Sequence, residues 1–132
     1  MSLEKIISIS GKPGLYQIIT QTRTGFLVES LLDGKKLSLN LRSNVSLLSE
    51  ISVYTYDEEI KLSEVLKKIQ DYTANTEAIS HKEDKAVLED YFRKVLPEYD
   101  EERVYLSDIK KIIHWYNLLQ SKGLLVAEEV AK

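Results

Sequence analysis

Residues 11–36 read GKPGLYQIITQTRTGFLVESLLDGKK, and their punctuation decides the fold. Gly11-Lys12-Pro13-Gly14, Thr22-Arg23-Thr24-Gly25 and Asp33-Gly34-Lys35-Lys36 are turn signals, separated by short β-branched and aromatic runs. Leu15 to Thr20 and Phe26 to Leu32 therefore read as strands joined by a Gly-bearing turn. Asp and Gly both tolerate the positive φ of a primed turn, so Asp33-Gly34 predicts a tight hairpin. Lys35 to Leu41 alternates, with Leu37, Leu39 and Leu41 on one face, as in a strand with one wet side.

Outward from this unit the pattern is mixed and then helical. Leu3 to Ile9 suits either a strand or a helical turn. Val45 to Ile51 has apolar spacing of three and four, which predicts a single helical turn, and Ser52 to Tyr56 is extended again. One helical turn before a final strand is also the order of SH3-like barrels, an analogy at the level of fold. Beyond Ile60 three helices are expected. The first is capped by Ser63 and carries Leu62, Val65, Leu66, Ile69 and Tyr72 on one face. The second opens on the capping-box pair Ser80 and Glu83 and shows Val87, Leu88, Tyr91, Phe92, Val95 and Leu96 before Pro97 stops it. A third starts at Ser107-Asp108 and ends at Gly123. Its stripe of Ile109, Ile112, Ile113, Tyr116 and Leu119, widened by Trp115 and Leu118, predicts contact on two sides. The fold class is α+β: a small SH3-like β-barrel over residues 1–60, then a helical domain of about three helices over 61–132.

Composition limits function. The 132 residues are 43% hydrophobic and 30% charged, as in a globular chain. There is no Cys, which removes disulfides and thiolate chemistry and suits the cytoplasm. No apolar run approaches a membrane span, so no membrane partner is expected. Formal net charge is −3, and basic and acidic residues balance before Leu62, which weighs against affinity drawn mainly from phosphates.

No constellation points to catalysis, a metal or a cofactor. His81 and His114 fall in different predicted helices, where an exposed surface position and packing at a bundle edge are their defaults. Asp57-Glu58-Glu59 and Asp100-Glu101-Glu102 lack the spacing of a calcium loop. Both sit in the echoing stretches Tyr56–Ile69 and Tyr99–Ile113, read as acidic loops that feed helices. Gly11-Lys12-Pro13-Gly14 is too short to cradle a triphosphate, and Pro13 removes a donor. What remains is binding. Lys12, Arg23, Lys35, Lys36 and Arg42 could gather on a basic rim with Tyr16 and Phe26 as stacking platforms, a surface for RNA or DNA. Tyr54, Tyr56 and Trp115 could form an aromatic surface for a protein partner or a second copy. The favoured expectation is a non-catalytic protein–protein interaction module, with nucleic-acid binding as the alternative and an enzyme of unknown class last.

The runs Ile9-Ser10-Gly11-Lys12-Pro13-Gly14-Leu15-Tyr16, Gly25-Phe26-Leu27-Val28-Glu29-Ser30-Leu31, Val45-Ser46-Leu47-Leu48-Ser49-Glu50-Ile51 and Tyr54-Thr55-Tyr56-Asp57-Glu58-Glu59 resemble a family of small uncharacterised Bacteroidetes proteins known as a domain of unknown function. Val104 to Ile112 and Trp115-Tyr116 are similar to its helical companion domain. The resemblance implies an SH3-like N-terminal fold, a helical C-terminal domain and bacterial origin, and brings no catalytic residues.

Overall fold

The computed structural model describes residues 5–9, 12, 14–40 and 44–123. Gly11 and Pro13 of the first turn, the expected strand positions Leu3 and Leu41, and the cation Arg42 lie outside them. Seven strands, a 3-10 turn and three helices follow in order: β1 (Ile6–Ile9), β2 (Tyr16–Gln21), β3 (Gly25–Ser30), β4 (Lys36–Asn40), β5 (Val45–Leu47), the 3-10 turn Leu48–Glu50, β6 (Ser52–Tyr54), β7 (Glu59–Lys61), α1 (Leu62–Tyr72), α2 (Lys85–Val95) and α3 (Leu106–Ser121). The class is α+β. An antiparallel five-stranded sheet has the order β4-β3-β2-β1-β5, and β6 and β7 form a second, two-stranded sheet.

The glycine turns are where the residues put them, with one change. At Gly25 an added Cβ would lie 1.8 Å from the Leu39 carbonyl oxygen, so only glycine permits the close approach of β3 to β4. Asp33-Gly34 does not make a two-residue hairpin. Strand pairing stops at Glu29 and Lys36, and Gly34 alone takes positive φ (75°) while the Asp33 carboxylate accepts the Lys35 N–H at 2.9 Å. The loop runs from Leu31 to Gly34: Ser30 N–H donates to the Lys35 carbonyl and Gly34 N–H to the Ser30 carbonyl, both at 2.9 Å, while Leu31 N–H continues the β2–β3 ladder to the Leu15 carbonyl at 2.9 Å and its side chain joins the cluster built by the helices. In β2 the pairing shifts between Ile18 and Thr20, a bulge that leaves Ile19 exposed.

Val45 to Ile51 is not one helical turn. Its first three residues pair with β1 as β5, and only Leu48–Glu50 coil. The following run, Ser52–Tyr54, stays out of the main sheet and pairs with Glu59–Lys61. The chain bridges across where the two echoing stretches begin: Thr55 pairs with Tyr99, Asp100 N–H donates to the Tyr54 carbonyl at 3.0 Å, and Tyr56 N–H to the Glu98 carbonyl at 2.9 Å.

Two apolar clusters flank the sheet. Ile7, Ile9, Val28 and Leu39 gather on one face with Tyr16, Ile18, Phe26, Leu37 and Leu47 against them. From elsewhere in the β region Ile6, Leu15, Leu31, Leu48 and Val53 enter the larger cluster built by the three helices, so this core crosses residue 60. Each such fully buried Leu or Ile contributes about 2 kcal/mol of transfer free energy. The α3 stripe is buried on both expected sides, whereas Tyr72 and Val87, assigned to core faces by periodicity, are half exposed.

Helix starts differ by a residue or more from the Ser signals. Lys61 precedes α1 because β7 runs straight into it, and the free Leu62 N–H donates to the Ile51 carbonyl at 2.9 Å. Asp84, not Ser80, precedes α2; the Ser80 hydroxyl instead accepts the Lys82 N–H at 3.1 Å in a turn. Tyr105 precedes α3, its N–H received by the Asp108 carboxylate at 3.0 Å. Gly123 ends α3 at φ 69° as expected.

Candidate functional site

A cleft of about 860 Å³ opens where the β1–β5 side of the sheet faces α3 and the β6 strand. Its geometry follows from the strand ends. The last residue of β1, Ile9, pairs with the first of β5, Val45, and the loop carrying Lys12 and Gly14 rises beside them. Being an edge strand, β5 has no strand partner on its outer side among the described residues. Opposite stand Ile112 and Trp115 of α3, both largely buried, with Val53 and Tyr54 of β6 between.

Around these apolar walls the charges are mostly positive. Lys12, Arg103, Lys110 and Lys111 line the cleft, against Asp108 as the one carboxylate among its described lining residues. Asp108 is engaged at the Tyr105 N–H. The Arg103 guanidinium lies 5.3 Å from the centre of the Tyr54 ring, and its Nε is 3.6 Å from an Asp100 carboxylate oxygen.

His81 and His114 also line the cleft, with ring centroids 4.2 Å apart and planes inclined by 46°. His81 is not helical. It sits in the turn before α2, and the segment leading to it is tied to α3 by two side chains. The Asn117 amide oxygen accepts the Ala78 N–H at 2.7 Å while its nitrogen donates to the Ile79 carbonyl at 3.0 Å. The Tyr116 hydroxyl donates to the Thr76 carbonyl at 2.7 Å and lies 2.8 Å from the Thr73 hydroxyl. Burial, then the ammonium groups of Lys82 and Lys110, hold the His81 imidazole below its ordinary pKa. Burial, then His81 and Lys82, do the same to His114. Among the described residues no group of three or more His, Asp or Glu is placed to hold a metal ion.

Of the residues singled out in the sequence, Lys12, Tyr54 and Trp115 meet in this cleft. Tyr16 packs half-buried against the sheet's own apolar cluster. Arg23 lies in the β2–β3 turn, at the opposite end of β3 from the loop that carries Lys35 and leads to Lys36, so the basic turns do not form one rim. Tyr56 is exposed outside the cleft, its hydroxyl accepting the Glu101 N–H at 3.4 Å. Sequence reasoning missed Arg103, Lys110, Lys111 and the histidine pair as a group. The spacing that puts Lys110 four residues before His114 and Lys111 four before Trp115 was the one available signal.

Fold and site together define a class: a mixed α+β protein with a cationic, aromatic cleft where a sheet edge meets a helix. The chain belongs to the family described as domain of unknown function DUF6852, matched over residues 51–119, and a second domain of unknown function, DUF5606, matches residues 3–48. A solution NMR structure of a Bacteroides vulgatus protein, a structural-genomics target, is similar: 40% identical, TM-score 0.77, covering 93% of this chain and 89% of that one. No curated protein matches the chain. Among the described residues no helix is long and apolar enough to cross a membrane.

Proposed function

We propose that this protein is a non-catalytic interaction module that docks a protein segment in the cleft between β5 and α3. One observation carries the reading: β5, a sheet edge with no outer strand partner among the described residues, borders through Val45 and Ser46 the same cleft as Trp115 and Tyr54. An extended segment added along such an edge gains main-chain hydrogen bonds, and alternate side chains then reach whatever faces the edge. Here they meet an aromatic and aliphatic wall. The five-strand order with β5 returning beside β1 supports an SH3-like barrel as the carrier of this edge. A cysteine-free chain suits work in the cytoplasm. The non-catalytic part is supported by Asp108, whose carboxylate is committed to starting α3, and by imidazoles that face each other.

The test is selection of short peptides on the immobilised protein, followed by amide-shift mapping of the enriched sequences and sedimentation of the protein alone. Enriched peptides should shift the amides of Val45–Leu47 and the Trp115 indole; dimerisation that shifts the same signals would identify a second copy as the occupant. A selection that enriches nothing, in a protein that stays monomeric at high concentration, would overturn the reading.

A further inference from the structure

We infer that the segment taken by the cleft is acidic: an extended strand of alternating apolar and carboxylate side chains, read by Lys12, Lys110 and Lys111 around Trp115. The inference rests on the docking site proposed above and names the chemistry of its occupant. In a chain of net charge −3, four cations and a single carboxylate line this cleft among the described residues. They are not equally committed. Arg103 already stands beside Asp100 and over Tyr54, and Asp108 receives the Tyr105 N–H. Lys12, Lys110 and Lys111 have no ion pair among the described residues, although their surroundings are partly apolar. Three ammonium groups with no ion pair among the described residues, beside a low-dielectric wall, attract an anion more strongly than the same groups on open surface.

Placement fits a strand. Lys12 rises from the β1–β2 loop beside the start of β5, whereas Lys110 and Lys111 stand on α3, one helical turn before His114 and Trp115. A segment paired along β5 therefore runs with lysine on both sides of its path and the indole between. An apolar side chain covers Trp115 while its acidic neighbours reach the ammonium groups. A nucleic acid fits less well. Its phosphates are continuous, and at the Arg103 end they would meet Glu98, Asp100, Glu101 and Glu102. A short acidic segment ends before that loop.

The experiment compares capped peptides of alternating valine and glutamate, the same peptides with glutamine, and an oligothymidylate strand, each titrated into the full chain and followed by amide shifts. The glutamate peptides should bind about tenfold tighter than the glutamine ones, and Lys110→Gln with Lys111→Gln should remove most of that difference. Both lysines are exposed on α3, so an unchanged thermal midpoint identifies a folded variant. Equal binding of both peptides at Val45–Leu47 and Trp115 would overturn the acidic occupant while leaving the docking site intact. Failure of both peptides to shift the cleft would count against the docking site itself. Cleft shifts with the oligothymidylate, steeply weakened by salt and stronger than with either peptide, would replace the protein segment by nucleic acid.

Discussion

The imidazoles of His81 and His114 lie 4.2 Å apart between ring centroids, one in the turn before α2 and the other on α3, with Lys82 and Lys110 facing His81 and Lys82 facing His114. Both rings titrate below their ordinary 6.5, first because they are partly buried and then because their charged neighbours are positive. The sign follows from proton counting. Between the lowered folded pKa and 6.5 the unfolded chain binds more protons than the folded one, so stability is complete above 6.5 and falls as pH drops. The urea midpoint should decline between about pH 7.5 and about pH 5.5, and His114→Gln should flatten that decline. A midpoint constant over this window in the unmutated chain would contradict the arrangement.

The turn bearing His81 is held by Tyr116, whose hydroxyl donates to the Thr76 carbonyl and meets the Thr73 hydroxyl. Tyr116→Phe keeps the buried ring and deletes both bonds, leaving an unmet carbonyl. A loss of about 1–2 kcal/mol in urea unfolding is expected. Because the segment after Thr76 carries His81, the same variant should weaken the pH dependence described above, which a purely local loss of stability would not do.

What could be read from sequence was local. Gly25 and Gly34 mark turns because close approach and positive φ are properties of single positions, and the α3 stripe at Ile109, Ile112, Ile113 and Tyr116 records its own burial. Two-sided contact of α3 was legible from the added Trp115 and Leu118. The cleft was not, because it is assembled from residues far apart in the chain. Lys110 and Lys111 look like the solvated face of any helix until β5 is placed across from them. Ser80 and Glu83 carry a capping-box spacing, yet the bonds that Asn117 makes to Ala78 and Ile79 keep that segment on α3 and delay the helix to Lys85. Likewise Leu31 reads as the end of a strand, and only the packing shows that its side chain joins the helical cluster rather than the sheet's own.

Gly25 gives a sharper test of the sheet. The obstacle to a side chain there is backbone, the Leu39 carbonyl, which cannot swing aside as a flexible side chain could. Gly25→Ala should therefore force β4 away from β3 and cost at least about 3 kcal/mol, or leave the protein insoluble. Gly123→Ala is the control: its Cβ meets nothing within 4 Å, so only the positive φ of 69° opposes it, at a cost of about 1 kcal/mol. Comparable losses for the two variants in urea unfolding would show that β3 and β4 can separate without penalty.

Leu48 tests whether sheet and helices unfold together. It follows β5 directly, is fully buried, and belongs to the cluster of α1, α2 and α3. Removing its side chain leaves a cavity at this junction, for which Leu48→Ala should cost about 2–5 kcal/mol. Two probes report on different parts of the chain: Trp115 fluorescence on α3, and amide exchange of Val28 in the middle of β3. If one core joins the two parts, both transitions move to lower urea by the same amount and remain coincident. Separate midpoints, with exchange at Val28 unaffected, would show that the sheet persists after the helical cluster has opened.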